Sequence, residues 1–186
     1  NNIGVLSKRF QDDPDAATLA VEALMDLHPW DYWTADGEPK PWAEEIVSTL
    51  ERVLKRYQDH PGACHFYIHA VEASNHPERA LACARRLPSL MPGAGHLVHM
   101  PAHIYMRVGQ YHEAAERNVQ AAAVDQKYLD HRHLSGSYPA GYYLHNLHFL
   151  WASLLMEGRS WEALRVARDL AAKVRLEDAV KEPWLE

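Results

Sequence analysis

Histidines and a carboxylate recur at helical spacing in this chain. His65, His69 and Glu72 are spaced i, i+4, i+7, so on a helix they lie along one stripe. Imidazole nitrogens and carboxylate oxygens are transition-metal ligands, and an i, i+4 pair of histidines places two rings one turn apart on the same face. The chemistry that this spacing favours is metal coordination, with Glu72 acting as a ligand or as a general base.

A second stretch is denser in histidine but contains a proline. His96, His99 and His103 are spaced i, i+3, i+7, which is one stripe only if a helix runs through Pro101. A proline inside a helix removes one hydrogen bond and usually kinks the helix. Two arrangements stand: His96 and His99 lie on a short turn before a helix that begins near Pro101, or a kink rotates the imidazoles.

The elements that would position these residues are predicted to be helices. Proline is well suited to the first helical position, and four segments carry one just ahead of an apolar periodic run: Pro14, Pro61, Pro92 and Pro139. Each run is followed by a second amphipathic helix, predicted over Pro41–Gln58, Pro77–Leu87, Tyr111–Asp125 and Trp161–Val174. The sequence therefore predicts an all-α fold of about four helical hairpins in a right-handed superhelical array, with at most a short ribbon near Asp36-Gly37.

The turns "RVGQYHEAAERN" and "MEGRSWEALRVA" resemble those of tetratricopeptide repeats. Such a turn has a small residue that closes the first helix, then an aromatic residue, then alanines where the helices touch. Gly109 and Gly158 fit the turn, and Ala80, Ala114 and Ala163 fit the contact. These alanines are 34 and 49 residues apart, and the first interval is the tetratricopeptide period.

Most of the chain also resembles a family of bacterial tetratricopeptide-like proteins. The family's recurring sequence motifs occur in this chain as "LHPWDYW", "HPGACHFYIHAVEAS", "PGAGHLVHMPAHIYMRVGQY" and "HNLHFL". The resemblance implies a helical-repeat fold but no reaction, because the family has no assigned activity. Its members are longer than this chain, which begins at Asn1, so we expect residues 1–186 to be a single helical-repeat domain and a fragment of a longer repeat protein. We expect the exposed repeat faces to be covered by upstream sequence or by a second copy in a homodimer.

Aligning the repeats by their alanines places histidines of successive first helices opposite one another. His65 falls opposite His99, and His69 falls opposite His103. The first helices of such solenoids line the concave surface. We therefore predict one groove that gathers all the candidate metal ligands: His65, His69, Glu72, His96, His99, His103, His145 and His148.

The predicted ligands allow zinc, iron, nickel, copper or manganese, because imidazole and carboxylate donors do not discriminate among these metals. Two functions stand. In the first, the groove binds a transition metal or a small ligand. An extension of this function is metalloenzyme activity, as a hydrolase or an oxidoreductase. The other is a tetratricopeptide-type scaffold that binds a protein or peptide in its groove without catalysis. Peptide-binding grooves of this fold usually carry Lys, Arg and Asn, so the histidines favour the first.

The alternative is that the histidines have a purely structural role as packing residues. The imidazoles would then form a hydrogen-bond ladder with Glu72, Tyr67, Tyr105 and Asn146. Histidines outside the stripes, such as His60 beside a proline at a helix start, are expected to serve as turn or cap residues.

Composition excludes several partners. The formal charge of −6 and the lack of a Lys/Arg run argue against nucleic-acid binding. No apolar stretch is long enough to span a bilayer, and the first residues have no signal-peptide pattern. Cys64 and Cys83 are too few and too far apart in sequence for a disulfide framework or a cysteine-rich zinc site. They suit a reducing compartment, so a cytoplasmic location is expected.

Overall fold

The computed structural model describes residues 9, 12–132 and 139–174. Regular structure in these ranges is all-helical, which confirms the predicted class. A bridge between Trp33 and Pro39 flanks the Asp36-Gly37 turn, where Gly37 has φ +80°; this is the predicted short ribbon. Contacts group the chain into two compact units, Asn1–Leu90 (unit 1) and Met91–Glu186 (unit 2). The single repeat domain and its right-handed superhelix stay predictions.

Unit 1 consists of successive helices that pack in chain order, α1 on α2, α2 on α3 and α3 on α4. Their bounds are α1 Pro14–Leu27, α2 Pro41–Arg56, α3 Pro61–Val71 and α4 Leu81–Leu90, with a 3-10 turn at Pro77–Ala80 that leads into α4. The second helices predicted for this unit are therefore confirmed, with ends that differ by two or three residues.

Side chains cap the starts of two helices in unit 1, α1 and α3. Asp13 accepts a hydrogen bond from the Asp15 amide at 2.9 Å at the start of α1. His60 Nδ1 accepts from the Ala63 amide at 3.1 Å at the start of α3, and His60 Nε2 lies 3.1 Å from the Asp15 carboxylate. Because Nδ1 is the acceptor, Nε2 carries the proton and donates to Asp15. His60 is thus a cap residue, as expected.

Unit 2 holds the densest set of histidines. Its elements are α5 Gly95–His99, α6 Pro101–Arg107, α7 Tyr111–Arg132, a π-helical turn at Pro139–Tyr143, α8 Leu144–Met156 and α9 Ser160–Lys173. Both α5 and α6 pack on α7, α7 packs on α8, and α8 packs on α9. Long α7 is therefore the element against which the other histidine-bearing helices of the unit are arranged.

Pro101 divides the histidine-rich stretch into two short helices. Met100, between them, keeps a right-handed helical conformation (φ −47°, ψ −37°), and its N–H donates to His96 O at 3.0 Å. Since Pro101 has no N–H to continue the ladder, a new helix begins there. Of the two arrangements predicted, the first is correct: His96 and His99 precede a helix that starts at Pro101.

Glycines close the two helix turns of unit 2. Gly109 and Gly158 have φ +78° and +76°, in the left-handed region that favours glycine. After Gly109, the Gln110 N–H donates to Tyr105 O at 2.8 Å, a bond typical of the Schellman motif at helix ends. The predicted turns are confirmed. The alanines predicted at helix contacts are all buried: Ala80, Ala114 and Ala163.

Candidate metal centre

Three histidines of unit 2 converge from α5, α6 and α8. His99, His103 and His145, here called the three-histidine cluster, each offer a ring nitrogen, and these nitrogens lie within 4.8 Å of one another. The His99 ring centroid lies 4.8 Å from that of His103 and 4.8 Å from that of His145. His99 is fully buried, His103 is 8% exposed and His145 is half-buried. Three imidazoles that close together can share one ion.

Phe149 forms an apolar wall of the cluster. It lies one turn after His145 on α8, so both side chains leave the same face of the helix. Its ring centroid is 4.8 Å from that of His99, 4.5 Å from that of His103 and 4.8 Å from that of His145. An aromatic wall keeps water away from the imidazoles and lowers the local dielectric constant.

Asn118 fixes the tautomer of His99. The Asn118 Nδ2 amine donates to Ala114 O at 2.8 Å, which turns Oδ1 toward His99 Nδ1 at 2.6 Å. Because an amide oxygen only accepts, His99 Nδ1 carries the proton, and the Nε2 lone pair faces the cluster. A metal-binding histidine usually donates its second ring N–H to such an acceptor. Asn118 therefore prepares His99 to be a ligand through Nε2.

The Nε2 atoms of His99 and His103 lie 2.9 Å apart. Since His99 Nε2 accepts, His103 Nε2–H is the donor in the metal-free protein. In a tetrahedral zinc site with bonds of about 2.0–2.1 Å, two ligand nitrogens are about 3.3 Å apart. An ion would therefore replace the His103 proton and require the two nitrogens to separate by only a few tenths of an ångström.

Burial keeps His99 neutral. Loss of solvation holds the pKa of His99 well below its usual value of 6.5, and repulsion from protonated His103 or His145 lowers it further. The neutral imidazole is the form that coordinates metals. The cluster therefore offers a lone pair on His99 at neutral pH.

The pKa of His99 makes the stability of the metal-free protein depend on pH. Below about pH 6.5 unfolded His99 binds a proton while folded His99 stays neutral, so the free energy of unfolding is expected to fall as pH falls. One such group gives a slope of up to about 1.4 kcal/mol per pH unit. Urea unfolding with a chelator, at steps below neutral pH, measures this slope. The His99→Gln variant should lose it; an equal slope in both proteins would contradict the assignment.

The other two candidate metal ligands of unit 2 are His96, which lies beside the cluster, and His148, which lies outside it. The His96 ring is 6.1 Å from that of His99 and 4.8 Å from that of Tyr142, so His96 is adjacent to the cluster. His148 is exposed and stacks on Trp151 at 5.4 Å. His148 is therefore outside the group of three donors.

The candidates of unit 1 lie together at the end of α3. The His65 and His69 rings are 4.9 Å apart, and His69 Nδ1 lies 3.0 Å from a Glu72 carboxylate oxygen. Trp30 meets His69 edge-on at 5.0 Å, from a left-handed backbone conformation (φ +59°) that is uncommon outside glycine. The predicted stripe on α3 is confirmed. That the histidines of both units line one groove stays a prediction.

Sequence reasoning missed the polar residues that support the cluster. Asn118 and Asp125 are fully buried, or nearly so, on the face of α7 that also buries Ala114 and Ala121. A polar residue inside an apolar helical stripe usually has a specific buried partner. That pattern was the available clue to Asn118.

Asp125 fixes the start of α5. Asn146 Nδ2 donates to Asp125 Oδ2 at 2.6 Å, which holds the carboxylate between α7 and α8. The other oxygen packs against Gly95, where an added Cβ would lie 1.8 Å from Asp125 Oδ1. Gly95 is thus required for α5, and with it His99, to approach α7.

Comparisons of the chain with protein-family models, with curated proteins and with solved structures found no match. None of the helices in the described ranges combines the length and apolar character needed to cross a membrane. The class that fold and site define is a helical protein with histidine groups that could hold a metal ion.

Proposed function

We propose that unit 2 binds one divalent transition-metal ion through His99, His103 and His145. The observation that carries this proposal is the hydrogen bond between His99 Nδ1 and Asn118 Oδ1 at 2.6 Å, which directs the His99 Nε2 lone pair into the cluster. Zinc, iron, nickel, copper and manganese all accept imidazole ligands. Zinc serves as the first probe because three histidines are an established zinc ligand set.

The residues present fit such an ion. Three ring nitrogens lie within 4.8 Å of one another, Asn118 orients one of the rings, and Phe149 excludes water on one side. A bound ion with an open coordination position would act as a Lewis acid and lower the pKa of a bound water. Activity as a hydrolase or oxidoreductase is an extension of this proposal that depends on such an open position.

The alternative is that the cluster is hydrogen-bonded packing. The bond between His103 and His99 at 2.9 Å satisfies the two facing ring nitrogens without an ion, as buried polar atoms require. The two interpretations differ in one respect. Only the metal site makes the stability of the folded protein depend on the concentration of a particular cation.

Zinc is expected to bind chelator-treated protein at neutral pH with one equivalent per chain. A ligand at 100 times its Kd stabilises the native state by about 2.7 kcal/mol, which raises the Tm of a chain of this size by about 5–10 °C. Thermal unfolding with and without zinc measures the shift, and metal analysis after gel filtration gives the stoichiometry. Magnesium is the control, since it prefers oxygen ligands. An unchanged Tm with zinc, nickel, copper and manganese would leave packing as the explanation.

We also propose that the helices form a tetratricopeptide-type array related to the bacterial family that the sequence resembles. The support is local: positive φ at Gly109 and Gly158, and alanines buried at the helix contacts. A groove of about 320 Å³ on unit 2 favours the scaffold function as a second candidate. It has an apolar floor that includes Leu150 and Leu154 and a charged rim that includes Arg159. Peptide binding there would need no metal, so chelator separates the two functions.

A further inference from the structure

Unit 1 has a pair of possible metal ligands of its own on α3. His65 and His69 lie one turn apart on the same face of the helix, and their ring centroids are 4.9 Å apart. Each ring offers a nitrogen, and these two nitrogens come within 4.8 Å of one another. Both histidines are half-buried, so an ion from solution can reach them without unfolding of the helix. Two imidazoles at this spacing are a recurrent metal-binding arrangement.

Glu72 sets the tautomer of one ring of the pair. A Glu72 carboxylate oxygen lies 3.0 Å from His69 Nδ1, and the two side chains are 18% and 12% exposed, respectively. Because a carboxylate only accepts hydrogen bonds, the neutral His69 ring carries its proton on Nδ1 and its lone pair on Nε2. A histidine ligand commonly donates its second N–H to a carboxylate in this way, which orients the ring and makes it more basic. Glu72 is therefore suited to orient a ligand, rather than to act as a ligand or a general base.

The loop before α2 also contacts the His69 ring. Trp33 Nε1 donates to Ala70 O at 2.7 Å, which anchors this loop to α3. Trp30 meets His69 edge-on, with ring centroids 5.0 Å apart, although its φ of +59° is uncommon for a bulky residue. Residues in such strained conformations cluster at binding and catalytic sites. A ring already held by Glu72 and Trp30 loses little further freedom when it binds an ion.

We propose that His65 and His69 bind one copper(II) ion through a ring nitrogen each, and that Glu72 is the positioning residue for His69. Copper(II) accepts imidazole ligands in a tetragonal geometry, and it binds nitrogen donors more tightly than the other divalent ions of its row. Zinc sites usually have at least three protein ligands, so two imidazoles favour copper over zinc. This inference does not rest on the proposed function, because neither histidine belongs to the three-histidine cluster.

The test counts copper ions on the full chain by equilibrium dialysis at neutral pH, with glycine present as a competitor for weakly held copper. Wild-type protein is expected to hold one more ion per chain than either His65→Ala or His69→Ala. His76→Ala is the matched control, because His76 is an exposed histidine of unit 1 that pairs with Glu78. Any copper held by unit 2 cancels, since the result is a difference between proteins. Equal counts in wild type and both ligand variants would overturn the proposal.

A second measurement locates the ion without any substitution. Copper(II) with ascorbate and oxygen oxidises the histidines that hold it to 2-oxohistidine, which peptide mass spectrometry detects as one added oxygen atom. In wild-type protein this modification is expected at His65 or His69, well above its level at the exposed His76. The same level of oxidation at all three histidines would contradict the site, and this result does not depend on how the variants fold.

The Glu72→Ala variant tests the positioning role. Loss of a residue that orients a ligand weakens metal affinity by about 10- to 100-fold, so more copper should be needed to fill the site. At saturation, however, the count of ions should equal that of wild type, unlike that of His69→Ala. The Glu72→Gln variant retains an oxygen acceptor for His69 Nδ1 and should recover part of the affinity. Unchanged affinity in Glu72→Ala, or complete loss of the ion, would contradict the role assigned to Glu72.

Discussion

Replacing His103 or His145 with alanine is expected to weaken zinc binding by more than about 100-fold. Loss of residues that merely orient metal ligands costs about 10- to 100-fold in affinity, and each of these histidines supplies one of three ring nitrogens. His103 and His145 are preferred to His99 because His99 is fully buried, and its removal would also leave a cavity in the core. Competition with a chromophoric chelator measures the affinity.

His148→Ala is the matched control for His145→Ala. Both residues lie on α8, but His148 is exposed and stacks on Trp151, so its removal should leave zinc affinity unchanged. Circular dichroism should show the same helix content in all variants, because the change from histidine to alanine leaves the backbone hydrogen bonds within the helices in place. Equal affinities for His145→Ala and His148→Ala would contradict the assignment of His145 as a ligand.

The Gly95→Ala variant is expected to lose about 3 kcal/mol of stability. The new methyl group would lie 1.8 Å from Asp125 Oδ1, closer than two atoms can approach. Asp125 is buried and bonded to Asn146 at 2.6 Å, so neither the carboxylate nor the start of α5 can move without breaking buried contacts. Urea unfolding followed by circular dichroism measures the change.

Gly93→Ala provides the control two residues away. No atom lies within 4 Å of a Cβ built on Gly93, so this variant should unfold within about 0.5 kcal/mol of wild type. Because α5 carries His99, Gly95→Ala should also weaken zinc binding, whereas Gly93→Ala should not. Equal unfolding midpoints for the two variants would show that the contact between Gly95 and Asp125 is not required.

The helices were largely predictable because their causes are local. Apolar residues at helical spacing, prolines at first positions and glycines at turns locate most boundaries to within a few residues. The end of α7 is the main exception: it was predicted at Asp125, but the helix continues to Arg132. Leu129 extends the apolar face and packs against the buried side chains of Tyr143, Leu144 and Leu147. This contact becomes apparent only when the neighbouring helix is in place.

The site was predictable within each helix and much less so between helices. The stripe of His65, His69 and Glu72 follows from spacing alone. By contrast, His145 and His148 share an i, i+3 spacing, yet the packing of α8 turns one toward the cluster and leaves the other exposed. Such differences depend on which face a neighbouring helix covers, and periodicity does not specify that.

Contacts between residues far apart in the sequence could not be predicted, for the same reason. Asn118 stands 19 residues after His99, and Asn146 stands 21 residues after Asp125. Both pairs are formed by packing between helices. No single-helix pattern encodes the rotation of one helix against another. The buried hydrogen bonds of Asn118 with His99 and of Asn146 with Asp125 are therefore visible only in the folded arrangement.

Anomalous scattering from crystals grown with one equivalent of zinc tests the central claim most directly. Data collected on both sides of the zinc absorption edge should show one strong peak within bonding distance of His99 Nε2 and of ring nitrogens of His103 and His145. The His99 hydrogen bond to Asn118 should be retained. Peaks confined to surface residues, with His103 Nε2 still donating to His99 Nε2, would contradict the account.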